Sequence, residues 1–420
     1  MLGRGGYYSI KINEMEDSGM SKVSIVKTDL YEVEKIEASV RKSVELIGGM
    51  ESVVKPGMKV LIKPNLVAVP QERLGGAVTR WEVVLPIAKM VKEAGGTAII
   101  AESSAAGVDT RDVIKFCEYD KIIEAGFDVI DLKTQGESCK IPLENGLLLK
   151  ELNTWKLVDE ADVIISVPLM KTHDQTEVTL GIKNLKGLIQ DPQKKWFHRN
   201  GVANGVVDIS TALKPNLCIV DGTFGQEGYG PLAGITKEVG LILASKDIVS
   251  CDTVAASIMG YDPREVEIIR IAGDVAKIGE IDLDKIEVVG EKIEDVRTPF
   301  KRPSELPLEG LPDFNLIFTE GACTGCRNTV LSVLIDMRMA GTEKYLEGKT
   351  IIAGPIKELP KDVKKEDLVL VGVCTKAYEE YGTWVKGCPP NNIFVHWGIA
   401  GKENVKSLGN SLISADDEEE

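Results

Sequence analysis

The chain has 420 residues, 43% apolar and only 5% aromatic, enough for two or more cores of ordinary size. Its formal charge of −15 leaves no basic excess to meet a phosphate backbone, which excludes a general nucleic-acid binder. No apolar run reaches the roughly 18 residues that span a bilayer, and the N-terminus lacks a signal-peptide pattern, so a cytoplasmic protein with no membrane partner is expected.

Residues 1–20 read as a disordered extension, because regular patterning begins only with "MSKVSIVKTD" at Met20. From residue 23 short aliphatic strands alternate with helical segments. "KVSIVK" precedes a helix near 32–47, and "KVLIKPN" precedes one near 81–94. "TAIIAES", "ADVIISVP", "NLCIVDG" and "EVGLILAS" follow, each beside an amphipathic helix, and a helix "EVEIIRIAGDVAKIG" and a strand "KIEVVGE" close the series. Continuous apolar strands between helices predict a large α/β domain over residues 21–299, its mainly parallel sheet covered on both faces. "RTPFKRPSELPLEGLPDF" carries four prolines and no period, so residues 300–313 read as a linker. A second α/β pattern fills residues 314–411: "NLIF", a helix near 325–340, "KTIIAG", "DLVLVG", a helix near 375–385, "NIFVHW" as a fourth strand, and a last helix. This suggests a compact flavodoxin-like module. Residues 412–420 read as a solvated acidic tail.

Of the eight cysteines, Cys117, Cys139, Cys218 and Cys251 are scattered and read as small buried hydrophobes. A reducing compartment makes a disulfide framework unexpected. Cys323, Cys326, Cys374 and Cys388 all fall in the last quarter of the chain. The first three follow strands, and residues after parallel strands converge on one sheet edge. Four thiolates with no histidine nearby fit a structural zinc or a 4Fe–4S cluster. Zinc ribbons usually present two C-x2-C knuckles, and one is found here. A redox dithiol would leave Cys374 and Cys388 unexplained, and the prolines after Cys388 suit the shielding of a cluster.

"GACTGCRNTVL" and "GVCTKAYEEYGTWVKGCPP" resemble the proximal-cluster module of nickel–iron hydrogenase small subunits and the related respiratory complex I subunit. The resemblance implies that Cys323, Cys326, Cys374 and Cys388 ligate one 4Fe–4S cluster. The chain departs from that pattern after the third cysteine, where "TKAYEEYG" replaces the usual glycine pair.

The larger domain places polar residues at its own strand ends: Lys63 and Asn65, Glu102 and Ser103, Lys171, Thr172 and His173, then Lys183, Asn184 and Lys186, and finally Asp221 and Glu227. Any one of these alone is more readily an ordinary exposed or turn residue. Together, at one sheet edge, their cations would select a carboxylate or phosphate. Glycines 225, 228 and 230 would let backbone amides approach the anion. No phosphate-loop or dinucleotide fingerprint is present. "LIKPNLV", "MKTHDQTEVTLGIKNLKGLI", "VDGTFGQEGYGP" and "DTVAASIMGYDP" resemble the prokaryotic family called domain of unknown function 362, over about residues 23–290. That resemblance implies catalytic roles for Lys171, His173 and Lys183 and substrate contacts from Lys63, Asn65, Asn184, Lys186, Asp221 and Glu227. It also implies an iron–sulfur module, which such proteins often carry.

His173, in a polar segment after a strand, suits general acid–base work. His198 reads as a surface-loop residue and His396 as a packing or capping group. His173, Lys183 and His198 distantly resemble the arrangement of nickel-pincer lactate racemases.

The expected function is an iron–sulfur oxidoreductase of anaerobic metabolism. It would reduce a small anionic substrate with electrons from a 4Fe–4S cluster and a ferredoxin-like donor. Three alternatives stay open: an electron-transfer or cluster-carrying protein without its own substrate, a lyase or dehydratase using the cluster as Lewis acid, and a zinc-stabilised binding protein. A flavin is left open by the weak signals of flavin mononucleotide sites, although no motif indicates one. Substrate and oligomeric state are not readable.

Overall fold

A computed structural model describes residues 19–228, 230, 234–305 and 309–405. The expected acidic tail, nearly all of the N-terminal extension and part of the proline-rich segment lie outside these residues.

The strands of the larger unit, in chain order, are β1 (Ser21–Lys27), β2 (Lys59–Pro64), β3 (Thr97–Glu102), β4 (Asp128–Asp131), β5 (Ser138–Pro142), β6 (Glu151–Trp155), β7 (Val163–Val167), β8 (Leu169–His173), β9 (Glu177–Thr179), β10 (Leu217–Glu227), β11 (Ile235–Ser245) and β12 (Ile286–Gly290). The main sheet runs β12-β1-β11-β10-β7-β2-β3-β4, with β8 paired to β10 and β9 to β8, while β5 and β6 form a separate hairpin. Along the main path every pair is parallel except those made by β11, which is antiparallel to β1 and β10. The short connection between β10 and β11 admits only a hairpin, since a parallel return needs a crossover of a dozen residues or more.

Alternating residues of the central strands feed opposite cores, as a two-residue side-chain period requires. Val60 and Ile62 of β2 join Ile36, Val84 and Ile87 on one face. Leu61 joins Leu180, Leu185 and Val206 on the other. Each such side chain contributes roughly 2 kcal/mol by leaving water. Helices α1 (Val33–Glu45) and α2 (Trp81–Glu93) cover the first face. The second is covered by α3 (Gly181–Asn184), α4 (Asp191–Asn200), α5 (Val202–Leu213) and α6 (Ile248–Ile258). In α1, Ile36, Val40 and Val44 recur at four-residue spacing and are buried, while Glu34 and Lys42 complement the helix dipole at either end.

The crossover after β2 lays β3 and β4 to one side, and that after β7 lays β10 to the other. Strand order therefore reverses between β2 and β7. The crevice beyond the carboxyl ends of such a pair is the usual ligand site of an open parallel sheet.

The smaller unit contains β13 (Asn315–Phe318), α7 (Thr324–Ala340), β14 (Thr350–Ala353), β15 (Leu368–Val371), β16 (Thr383–Val385) and α8 (Asn392–Ala400). Its four strands are parallel and lie in sequential order. This corrects the flavodoxin-like expectation, because the flavodoxin order contains a reversal after the first two strands. Two elements also differ from the sequence reading. "NIFVHW" opens helix α8 instead of forming a strand: Asn391 caps it by accepting from Ile393 N, and Val395, His396, Ile399 and Ala400 are buried at helical spacing. The helix expected near 375–385 is replaced by 3₁₀ turns over Val373–Tyr381 and the three-residue strand β16. Among the described residues no helix is long and apolar enough to cross a membrane.

Candidate functional site

Lys63 closes β2, and its ammonium is fully buried against Glu102 at the end of β3, with Nζ 2.7 Å from Oε2. The same Nζ donates to Pro64 O at 2.6 Å and to Asn184 Oδ1 at 3.1 Å. Asn184 returns a bond from Nδ2 to Lys63 O at 2.9 Å. Lys171, on β8, donates to Ala77 O at 2.7 Å and to Asn65 Oδ1 at 3.2 Å. These residues form a closed polar floor at the switch point. Gly187 makes the closure feasible: a Cβ there would overlap Glu102 Oε1 and come 2.5 Å from Lys63 Cε.

Above the floor lies a cavity of about 430 Å³ between the larger unit and α7 and α8 of the smaller one. Seven lysine or arginine side chains line it (Lys63, Lys171, Lys183, Lys186, Lys194, Lys195 and Arg199) against three carboxylates, Glu102, Asp174 and Asp336. A protein with a net charge of −15 thus encloses a chamber lined by more basic than acidic side chains. Lys183 Nζ lies 3.1 Å from His173 Nε2, and Lys186 Nζ lies 3.1 Å from His198 Nε2. On its other side His173 Nδ1 is 2.9 Å from Asp174 Oδ1. Gln175 N donates both to His173 Nδ1 at 3.0 Å and to Asp174 Oδ1 at 2.8 Å, which fixes the ring with Nε2 facing the cavity. Asp174 is held in turn by Asn392 Nδ2, at the start of α8, which donates to Oδ2 at 3.0 Å and to Ser332 Oγ at 3.1 Å.

The four late cysteines gather beside this chamber. Cys323 caps α7 and Cys326 lies in its first turn, while Cys374 follows β15 and Cys388 follows β16. Because the fourth strand is Thr383–Val385, Cys388 also lies after a strand instead of before one. Cys326 senses the charges of Cys323, Cys388 and Cys374, and Cys388 those of Cys323 and Cys374. Gly372, at a φ of 95°, leaves room for the group, since a Cβ would stand 3.0 Å from Cys326 Sγ. The loop that carries Cys388 is bonded to the chamber wall: Cys388 N donates to His198 O at 3.1 Å, and Val202 N donates to Cys388 O at 3.3 Å. Gln175 Nε2 donates to Pro390 O at 3.1 Å. Among the described residues, no three His, Cys, Asp or Glu side chains are grouped to hold a single metal ion.

A family model described as "Domain of unknown function (DUF362)" matches residues 60–257. Thylakoid-associated protein sll1697 of Synechocystis sp. is 34% identical over 254 residues, 59% of this chain and 77% of that protein. The chain belongs to the DUF362 family. Among solved structures, the lactate racemase apoprotein of Thermoanaerobacterium thermosaccharolyticum aligns at 12% identity over 58% of each chain, with a TM-score of 0.36. A likeness that loose has no bearing on the site.

In this DUF362 protein the matched segment contains every cationic residue of the chamber, whereas the four cysteines and Asn392 lie beyond it. Lys63, Asn65, Lys171, His173, Lys183, Asn184 and Lys186 all line the chamber. Asp221 and Glu227 are engaged elsewhere. Asp221 accepts from Arg80 N and Thr223, and Glu227 pairs with Lys237 at 2.9 Å and accepts from Lys301 N. Sequence reasoning missed Lys194, Lys195 and Arg199 and took His198 for a loop residue. All four lie on α4, where "KKWFHR" sets Lys194 above His198 and Lys195 above Arg199 at i, i+4, a legible signal. Asp174, Asp336 and Asn392 were also missed. His396 lies in α8, buried, with Nε2 2.8 Å from Thr342 Oγ1.

Crowding and burial tune the chamber. Burial, with Lys183 next to it, holds the His173 imidazole down to about 4, so it is neutral at pH 7. Burial lowers Lys171 to about 7 and Lys183 to about 8. Burial and then the charge of Lys183 push Lys186 well below the usual lysine range. Asp336 is raised to about 6 by burial and by Asp174.

Proposed function

We propose that this protein is an iron–sulfur oxidoreductase that binds a small carboxylate or phosphate in the lysine-lined chamber. Cys323, Cys326, Cys374 and Cys388 would hold a 4Fe–4S cluster beside it. The observation that carries this reading is the backbone bond from Cys388 to His198, which makes the thiol loop and the chamber wall one structure. The donor set fits the group: four thiols at one sheet edge, two of them exposed, with a glycine where a side chain would crowd them. Bound there, the cluster would supply electrons one at a time. All eight cysteines are free thiols, which fits a reducing cytoplasm.

The chain's own residues would do the rest. Lys183 and Arg199 offer charge-assisted hydrogen bonds to an anion, and Lys186 adds a further N–H donor. Displacement of water by that anion strengthens each such bond. His173, oriented by Asp174 and neutral at working pH, takes or gives the proton that accompanies reduction. Asn392 positions that pair from the smaller unit, coupling proton chemistry to the element whose neighbour α7 starts at Cys323. A ferredoxin-like donor would approach the exposed Cys323 and Cys374.

Anaerobic purification followed by iron, sulfide and zinc analysis tests the proposal. Four irons and four sulfides per chain, with a visible band bleached by dithionite, are expected. Stoichiometric zinc in a colourless protein would sink it and leave the zinc-stabilised binding protein.

A further inference from the structure

The chamber's lysines are not equivalent. Lys63 is locked to Glu102, Pro64 O and Asn184. Lys171 is bound to Ala77 O and Asn65. Lys194 is bound to Ser103, Ser104 O and Asp191. Lys183 and Lys186 instead each end on an imidazole nitrogen, and of the two only Lys183 meets an imidazole backed by a carboxylate. A lysine becomes a nucleophile when desolvated beside other cations and next to a base. Lys183 meets each condition: it faces His173 Nε2, it lines a chamber of about 430 Å³, and Lys63, Lys171 and Lys186 surround it.

We propose that Lys183 forms an imine with a small substrate bearing both a carbonyl and an anionic group, of the 2-oxo acid class. The inference rests on the chamber being a small-anion site and is independent of the cluster. Lys183 loses its ammonium proton to water near its value of about 8, and the freed amine, 3.1 Å from His173 Nε2, adds to the carbonyl carbon. A C–N bond forms as the carbonyl π bond becomes an alkoxide, which takes a proton from the nitrogen. The hydroxyl then takes a proton from water, the C–O bond breaks, and water leaves. The net change is one ammonium and one carbonyl to one protonated imine and one water, with no oxidation. Lys186 and Arg199 lie in the chamber to receive the carboxylate. The protonated imine draws electrons from the bonds at the adjacent carbon, which eases proton exchange or bond cleavage there.

The test is reductive trapping. Anaerobically purified full-length protein is incubated with pyruvate and cyanoborohydride and then digested, and the peptides are mapped by mass spectrometry. The expected result is a reduced pyruvate adduct on Lys183, formed faster as pH rises through about 8, where this amine loses its proton. Acetone, which has the carbonyl but no carboxylate, should label Lys183 about tenfold less, the worth of one charged contact. Mapping the unsubstituted chain makes the result independent of whether Lys183→Arg folds. Adducts spread over surface lysines, or equal labelling by acetone, would overturn the proposal. Labelling at Lys183 in a protein without iron would keep this inference and remove the cluster reading. An iron-bearing protein with no label would do the reverse.

Discussion

At the scale of single residues, the chamber depends on charges buried in matched sets. Lys63 and Glu102 are almost completely removed from water and lie 2.7 Å apart. Lys63→Met would strand a buried carboxylate, so denaturant unfolding should show a loss of about 3–5 kcal/mol. A loss below 1 kcal/mol would show that the pair is not buried as described. In the proposed reaction His173 assists proton transfer at the Lys183 nitrogen 3.1 Å away, and removing a positioned acid–base group usually costs about 10²–10⁴ in rate. His173→Gln should slow imine trapping at Lys183 in that range without unfolding the chain. Lys171 sets a pH dependence. Its folded value, about 7, lies below the unfolded lysine value of 10.5. The unfolded chain therefore holds this proton more tightly between those limits. Stability attributable to Lys171 is full above pH 10.5 and falls as pH drops toward 7. Measured against Lys171→Met, the wild-type melting temperature should rise across that window.

At the scale of elements, the sequence was most legible where one periodicity acted alone. β2 and β7 are apolar on both faces and bounded by polar residues, so their existence and the place of Lys63 at the end of β2 could be read directly. Helix α7 was equally plain, from Cys323 at its cap to Gly341 in the left-handed conformation at its end. Legibility failed in the last 50 residues before the tail. "NIFVHW" is apolar enough for a strand, and only the Asn391 cap and the burial pattern make it helical. The three-residue β16 is too short to show any period. That error moved Cys388 to the wrong end of a strand. Asp174 and Asn392, 218 positions apart, meet only through the tertiary fold, and nothing local marks either one. Asp221 and Glu227 show the converse, since acidic residues at a strand end can serve backbone and lysine partners instead of a ligand. One further outcome belongs to this scale. Gly372→Ala would strain a positive φ and crowd Cys326 Sγ, so with the proposed cluster in place the purified variant should contain less than half the iron of the wild type.

At the scale of the molecule, an acidic protein surrounds a basic chamber that two units build together. Inorganic phosphate should therefore raise the melting temperature. A ligand at a hundred times its dissociation constant adds about 2.7 kcal/mol, and Lys186→Ala should reduce the gain. An unchanged melting temperature with phosphate, sulfate and pyruvate alike would count against an anion site.

The bond between Cys388 and His198 has a practical consequence for anyone searching for a ligand. One wall of the chamber is bonded through the backbone to the loop that carries the Cys388 thiol. Air-oxidised protein would offer chemical libraries a differently shaped hole, so screens should begin in a glove box.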